Sequence, residues 1–181
     1  LYEMMSAYGT FANNGKRPDL TAILKVENSN GDVIEEWHQK EFEEVLDPQV
    51  AFLINNILSD RSVGLGARMY VSGKTNAAKT GTSTKENKKK AGGSVLPSDL
   101  LTYGYTPSVV VGVWAGNTDG SGLAQFAEAY NVTAPVMSSV LGKALEKLPN
   151  ESFSEPEGIK HVQISKASGK LPGADTPPEM I

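Results

Sequence analysis

The chain reads as an α+β fold: an antiparallel sheet with helices packed on it. Two observations carry that reading. Apolar residues pass from helical spacing to strand-like runs and back, in the order helix, hairpin, helix, strands, helix. The strand-like runs are joined by turn residues rather than by intervening helices, which argues against a βαβ alternation.

Each element has its own signal. Leu1, Met4, Met5, Tyr8, Phe11 and Ala12 fall at helical spacing, and Asn13-Asn14-Gly15 is a helix stop, so residues 1–13 are predicted as an amphipathic helix. Two β-prone runs, 21–27 and 33–38, flank the turn residues Asn28-Ser29-Asn30-Gly31-Asp32 and predict a hairpin. Asp47 followed by Pro48 is an N-cap carboxylate with proline at the first helical position; Val50, Leu53, Ile54, Ile57 and Leu58 form that helix's apolar face, and Ser59-Asp60 closes it. A loop with Gly64, Gly66 and Gly73 leads to a strand at 77–82. Residues 84–98 read as a polar connection carrying Lys85, Lys88, Lys89, Lys90 and Gly92-Gly93, its lysines a solvated face. Strands follow at 100–105 and 108–115, with Pro107 between them, where a missing backbone donor does no harm. The second is nearly all apolar, which predicts a central position in the sheet and a core role for Trp114. Thr133 is predicted to cap a last helix with Pro135 in its first turn and Val136, Met137, Val140, Leu141, Ala144, Leu145 and Leu148 as its core stripe. Residues 1–148 thus form one unit, and 149–181, rich in Pro, Glu and Gly, a tail or the start of a small module with one candidate strand at 160–165.

Composition narrows the function. At 181 residues one domain with a real core is expected. A net charge of −4 is too mild to imply a nucleic-acid partner. The absence of cysteine removes disulfides, thiolate metal sites and cysteine nucleophiles. His38 and His161 lie far apart without carboxylates at metal spacing, so no metal is expected. Gly64-Leu65-Gly66 is too short for a phosphate loop. No apolar run approaches the roughly 20 residues that span a bilayer. Asp99 is expected in a structural ion pair at a strand start.

The chemistry concentrates at Lys79-Thr80-Gly81-Thr82, followed by Ser83. A lone K-T-G recurs by chance. Here it lies on a predicted strand, ahead of Gly104-Tyr105-Thr106-Pro107 and of Val111-Gly112-Val113-Trp114-Ala115-Gly116-Asn117. This combination resembles the third active-site motif of penicillin-binding proteins, the serine acyl-transferases that cross-link peptidoglycan. The match is wider than the tetrad. Ala7-Tyr8 with Phe11-Ala12-Asn13 and Gly15 resembles a helix end of the bifunctional class, Asn30-Gly31-Asp32-Val33-Ile34 its following hairpin, and Ala134-Pro135 the opening of its last helix. The resemblance spans residues 1–148. Two places depart from it: Asp99-Leu100-Leu101-Thr102 stands where the family reads D-A-W-F, and the lysine-bearing segment after the tetrad is longer.

The resemblance implies a D,D-transpeptidase seen from its last third, with Ser-x-x-Lys and Ser-x-Asn, a glycosyltransferase domain and a membrane anchor expected upstream of Leu1, and an extracytoplasmic location. It implies that Lys79 anchors the substrate carboxylate, that the hydroxyls of Thr80 and Thr82 lie on one face and reach it, that Gly81 lets a neighbouring element pack close, that Ser83 lines the same site, and that the Thr82 N–H is an oxyanion donor. Partners would be the D-Ala-D-Ala stem peptide and β-lactams. No cofactor is implied, since ester chemistry at serine needs none. A different class stays open: a non-catalytic module of the same fold that binds stem peptides or a cell-wall partner. A β-lactamase or carboxypeptidase of that fold would share the tetrad but not the G-Y-T-P and V-W-A-G-N segments.

Overall fold

The computed structural model describes residues 1–38, 40–62, 66–87 and 94–181. In chain order the elements are α1 (Tyr2–Ala12), β1 (Lys16–Arg17), β2 (Lys25–Glu27), β3 (Val33–Glu36), β4 (Glu43–Glu44), α2 (Pro48–Ser59), β5 (Ala77–Asn87), β6 (Ser94–Tyr105), β7 (Val110–Gly116) and α3 (Ala129–Ala144), with short 3-10 turns at Ala67–Met69 and Pro178–Met180. The main sheet has the order β5-β6-β7, all antiparallel, and β2-β3 and β1-β4 are separate two-stranded pairs. The expected α+β class is what forms.

The local signals work through the expected physics. Asn14 and Gly15 take left-handed backbone, with φ of 51° and 87°. The Gly15 N–H then reaches back to the Thr10 carbonyl at 2.8 Å, which ends α1. The Gly15 carbonyl in turn accepts from the N–H groups of Val45 and Leu46, at 3.0 and 3.1 Å. That contact sets β4 beside β1. In α2 the Asp47 carboxylate accepts from the Gln49 N–H at 2.7 Å, with Pro48 at the first helical position.

α3 covers one face of the main sheet; α1 and α2 cover the other. On the α3 face Met137, Leu141 and Ala134 are fully buried and pack with Ala78. The approach is close: a Cβ on Gly104 would fall 2.0 Å from Met137 Sδ. On the opposite face Tyr8 stacks on Tyr103 at 4.6 Å and leans against Tyr105 at 5.7 Å.

Several expectations are corrected. The polar connection at 84–98 is mostly strand: β5 runs on to Asn87 and β6 begins at Ser94, the two paired from Ala77–Tyr105 to Asn87–Ser94. Strand pairing satisfies these polar backbones without an apolar face. Lys88, Lys89, Lys90 and Gly92-Gly93 lie outside the described residues. β7 is not central; among the described residues β6 is, because α1 and α3, rather than flanking strands, bury the middle of β7. Trp114 is not core but 44% exposed, on the part of the face that α1 does not reach. Thr133 is no cap: α3 begins four residues earlier, and the Thr133 hydroxyl donates to the Ala129 carbonyl at 3.0 Å. Pro135 therefore lies inside the helix and costs it one hydrogen bond. The core stripe is narrower than expected, since Val136 and Val140 are half exposed while Met137, Leu141 and Leu145 are buried. Residues 160–165 form no strand.

Candidate active site

The tetrad lies on β5, at the edge of the sheet. Its orientation follows from the ladder. The Thr106 N–H donates to the Val109 carbonyl at 2.9 Å, closing the turn at Pro107-Ser108. Hydrogen-bonded rungs alternate from there, so Gly104, Thr102 and Leu100 turn their N–H and C=O groups to β7. Tyr105, Tyr103 and Leu101 turn theirs to β5, onto Ala77, Lys79 and Gly81. The alternate residues of β5 ahead of its register shift, Ala78, Thr80 and Thr82, are left with N–H and C=O groups directed out of the sheet. The Thr80 carbonyl fits this geometry: it accepts from the Lys79 ammonium at 2.6 Å, in an exposed setting.

Side chains divide by face. Directly paired residues share a face, so Thr80 and Thr82 lie with Thr102 and Leu100 on the α3 side, as expected of the two hydroxyls. Lys79, Gly81 and Ser83 lie on the other face, with Tyr103, Leu101 and Asp99. Thr82 and Ser83 are exposed, and a register shift follows Ser83. The structure thus brings the two threonines together and sets Lys79 on the opposite face. A Cβ on Gly81 would meet only Leu101 Cβ, at an ordinary 3.6 Å, so the expected close packing against Gly81 is not made by the described residues.

Asp99, paired with Ser83, meets donors rather than an ion-pair partner among the described residues. Its carboxylate accepts from Trp114 Nε1 at 3.0 Å and from Ser98 Oγ at 2.9 Å. The Trp114 bond foremost, then the Ser98 bond, holds the Asp99 carboxyl below the ordinary 3.8. A pKa depressed on folding means stability that is present above the ordinary value and lost as pH falls through the folded-state value. Trp114 emission is therefore expected to change below about pH 4 in the native protein and to stay constant in Asp99→Asn, which keeps the oxygen acceptor without the titration. A titration of equal amplitude in both proteins would refute this assignment.

Some residues that build the site carry no motif. Asn55, fully buried on α2, accepts from the Tyr105 hydroxyl at 2.8 Å and donates to the Phe11 carbonyl at 2.7 Å, tying α1, α2 and β6 together. Asn76, just before β5, accepts from the Val71 N–H and donates to the Met69 carbonyl. The Thr102 hydroxyl meets that of Thr133 at 2.8 Å under the tetrad. A buried polar residue inside an apolar helical pattern was the only available signal for Asn55. A cavity of about 540 Å³ lined by Tyr2, Leu24, Trp37 and His38, among others, contains no tetrad residue. No group of three or more metal-ligating side chains occurs among the described residues.

Comparison with known proteins identifies the family and the fold. Residues 1–141 match the family model described as the penicillin binding protein transpeptidase domain. Penicillin-binding protein 1A of Clostridium perfringens is 27% identical over 172 residues, covering 94% of this chain and 19% of that protein. The chain therefore spans about a fifth of the length of that relative. In fold it is similar to penicillin-binding protein 1A of Haemophilus influenzae, with a TM-score of 0.75 at 18% identity over 97% of this chain and 30% of that one. It is also similar to PonA1 of Mycobacterium tuberculosis in complex with penicillin V, with a TM-score of 0.65 at 24% identity over 84% of this chain and 40% of that one.

Proposed function

This chain belongs to the penicillin-binding protein transpeptidase domain family, and from that premise we propose that it forms the K-T-G-T wall of a peptidoglycan D,D-transpeptidase whose nucleophilic serine lies elsewhere in the full-length protein. The observation that carries the reading is the edge of β5, unpaired with a further strand among the described residues, where Thr80 and Thr82 turn their backbone groups outward. A stem peptide ending in D-Ala-D-Ala can lie along such an edge as an added strand.

The chemistry is acyl transfer. The serine oxygen attacks the carbonyl of the penultimate D-Ala, an ester forms, and the terminal D-Ala leaves with its amine protonated. An acceptor amine then attacks the ester and restores the serine. The Thr82 N–H is one of the two donors that stabilise the oxyanion, the nucleophile's own N–H being the other. Lys79 and the hydroxyls of Thr80 and Thr82 attract the substrate carboxylate, with Ser83 beside them. Lys79 reaches it around the strand edge, from the face opposite the threonines. A β-lactam enters the same site as an acylating mimic, a reading supported by the penicillin V complex of PonA1.

The protein works outside the cytoplasm in this reading, held to the membrane by a segment upstream of this chain. No helix among the described residues is long and apolar enough to cross a membrane.

Intact mass after incubation with a β-lactam tests the proposal on this chain and on the full-length protein. An adduct on the full-length protein alone is the expected result. An adduct on neither favours the binding module, and one on this chain alone would place the nucleophile within it.

A further inference from the structure

The segment after α3 does more than trail from the domain. The Leu148 carbonyl accepts from the Lys74 ammonium at 2.6 Å, and Asn150 Oδ1 accepts from the Thr75 N–H at 2.7 Å. The Phe153 ring meets Tyr105 edge-on at 5.6 Å and packs on the buried cluster of Ala12, Ala77 and Tyr105. Glu151 accepts from the Ser108 hydroxyl, and the Glu157 carbonyl from the Gln49 side chain at 3.0 Å.

These contacts converge on one place. Ala77 and Tyr105 are the first rung of the β5–β6 ladder, both fully buried. Asn150 holds the backbone two residues before Ala77; Phe153 holds the tyrosine across from it. Glu151 holds the turn that follows Tyr105. Lys79 is two residues beyond the rung. A passive tail would rest on side chains at the surface. This one satisfies a backbone donor at the mouth of the tetrad strand and covers the aromatic ring that closes the rung.

We propose that residues 148–158 are a clasp on the tetrad hairpin, with Asn150 and Phe153 as positioning residues for Lys79 and Thr82; the catalytic part of this inference rests on the transpeptidase reading above. The tetrad lies on an edge strand, bonded to a neighbour on one side only. If the first rung frays, no strand among the described residues holds β5 on the open side, and the outward N–H of Thr82 moves with it. Displacements of about 1 Å in a reacting constellation cost as much as a hundredfold in rate.

The test uses the full-length protein, with two readouts: the second-order rate of acylation by a labelled β-lactam, and hydrogen exchange of Ala77, Lys79 and Gly81, the ladder-bonded backbone amides among residues 77–82. Asn150→Ala and Phe153→Ala are each expected to slow acylation about tenfold and to speed exchange at 77–82. Asn150→Asp, which keeps the oxygen acceptor, restores both readouts; Leu171→Ala, an exposed position in the tail beyond the clasp, leaves both unchanged. Rescue by Asp separates a specific bond to Thr75 from general loosening of the fold. Unchanged acylation and exchange in the two alanine variants would overturn the clasp, and so would Asp and Ala variants impaired alike. If the unmodified protein takes no label, the transpeptidase reading fails, and exchange at 77–82 alone decides the clasp.

Discussion

Thr82→Pro should slow acylation of the full-length protein by a labelled β-lactam by about 10²–10³-fold, the usual cost of one oxyanion donor, while the domain keeps its fold. The reason lies in the ladder. The rung pattern set by the Thr106–Val109 bond turns the Thr82 N–H out of the sheet, so proline there removes no bond to β6. Proline is tolerated on an edge strand when its missing donor faces outward. Gly81→Pro, one residue back, removes a donor that points into the ladder and should lower the melting temperature markedly. Thr82→Ser keeps both the N–H and a hydroxyl and should acylate at close to the native rate. Equal acylation rates for the proline and serine variants would rule out the assigned role of this N–H.

Gly15→Ala should be the most destabilising of the small substitutions, by about 3 kcal/mol or more when positive φ and overpacking act together. Gly15 sits at a φ of 87°, and a Cβ there would fall 2.0 Å from the Leu46 carbonyl oxygen. A flexible side chain could yield to such a contact. A backbone carbonyl cannot without pulling away the Val45 and Leu46 N–H groups that bond to Gly15, and with them the β1–β4 pair. Asn14→Ala meets only a left-handed φ of 51° and should cost about 1 kcal/mol. Denaturant midpoints for the two variants check the order; a Gly15→Ala midpoint at or above that of Asn14→Ala would contradict it.

What could be read from the residues divides by range. Signals confined to a few neighbours were legible: the Asp47-Pro48 cap, the Asn14-Gly15 stop and the turn that ends the G-Y-T-P segment all act within one helical turn or one hairpin. The tetrad was legible as a motif, together with the shared face of Thr80 and Thr82, because side chains alternate along any strand. The remainder depends on partners distant in sequence. The strands extend through the pairs Thr84–Pro97 and Lys85–Leu96 because each strand supplies the other's backbone partners, and a stretch that mixes polar residues with proline leaves no periodic trace of that. Trp114 looked like core from its apolar neighbours, but burial depends on how far α1 reaches across the sheet. β1 and β4 are two residues each and charged, and their pairing rests on the Gly15 carbonyl and on the cross-strand pairs Lys16–Glu44 and Arg17–Glu43, which are distant in sequence. The Asn55–Tyr105 bond joins residues 50 positions apart, and no local pattern announces it.

The Lys79 ammonium resting on the Thr80 carbonyl gives the open strand a guard. An exposed edge invites pairing with any other extended chain, the route by which sheet proteins aggregate. Here a newcomer must evict a charge from the acceptor it would use, and an ordinary peptide segment offers that charge nothing in exchange. In the site proposed above, a chain that ends in a carboxylate does, because it draws the lysine off the carbonyl and onto itself. On the transpeptidase reading proposed above, the edge is thereby closed to strands in general and open to the ends of chains.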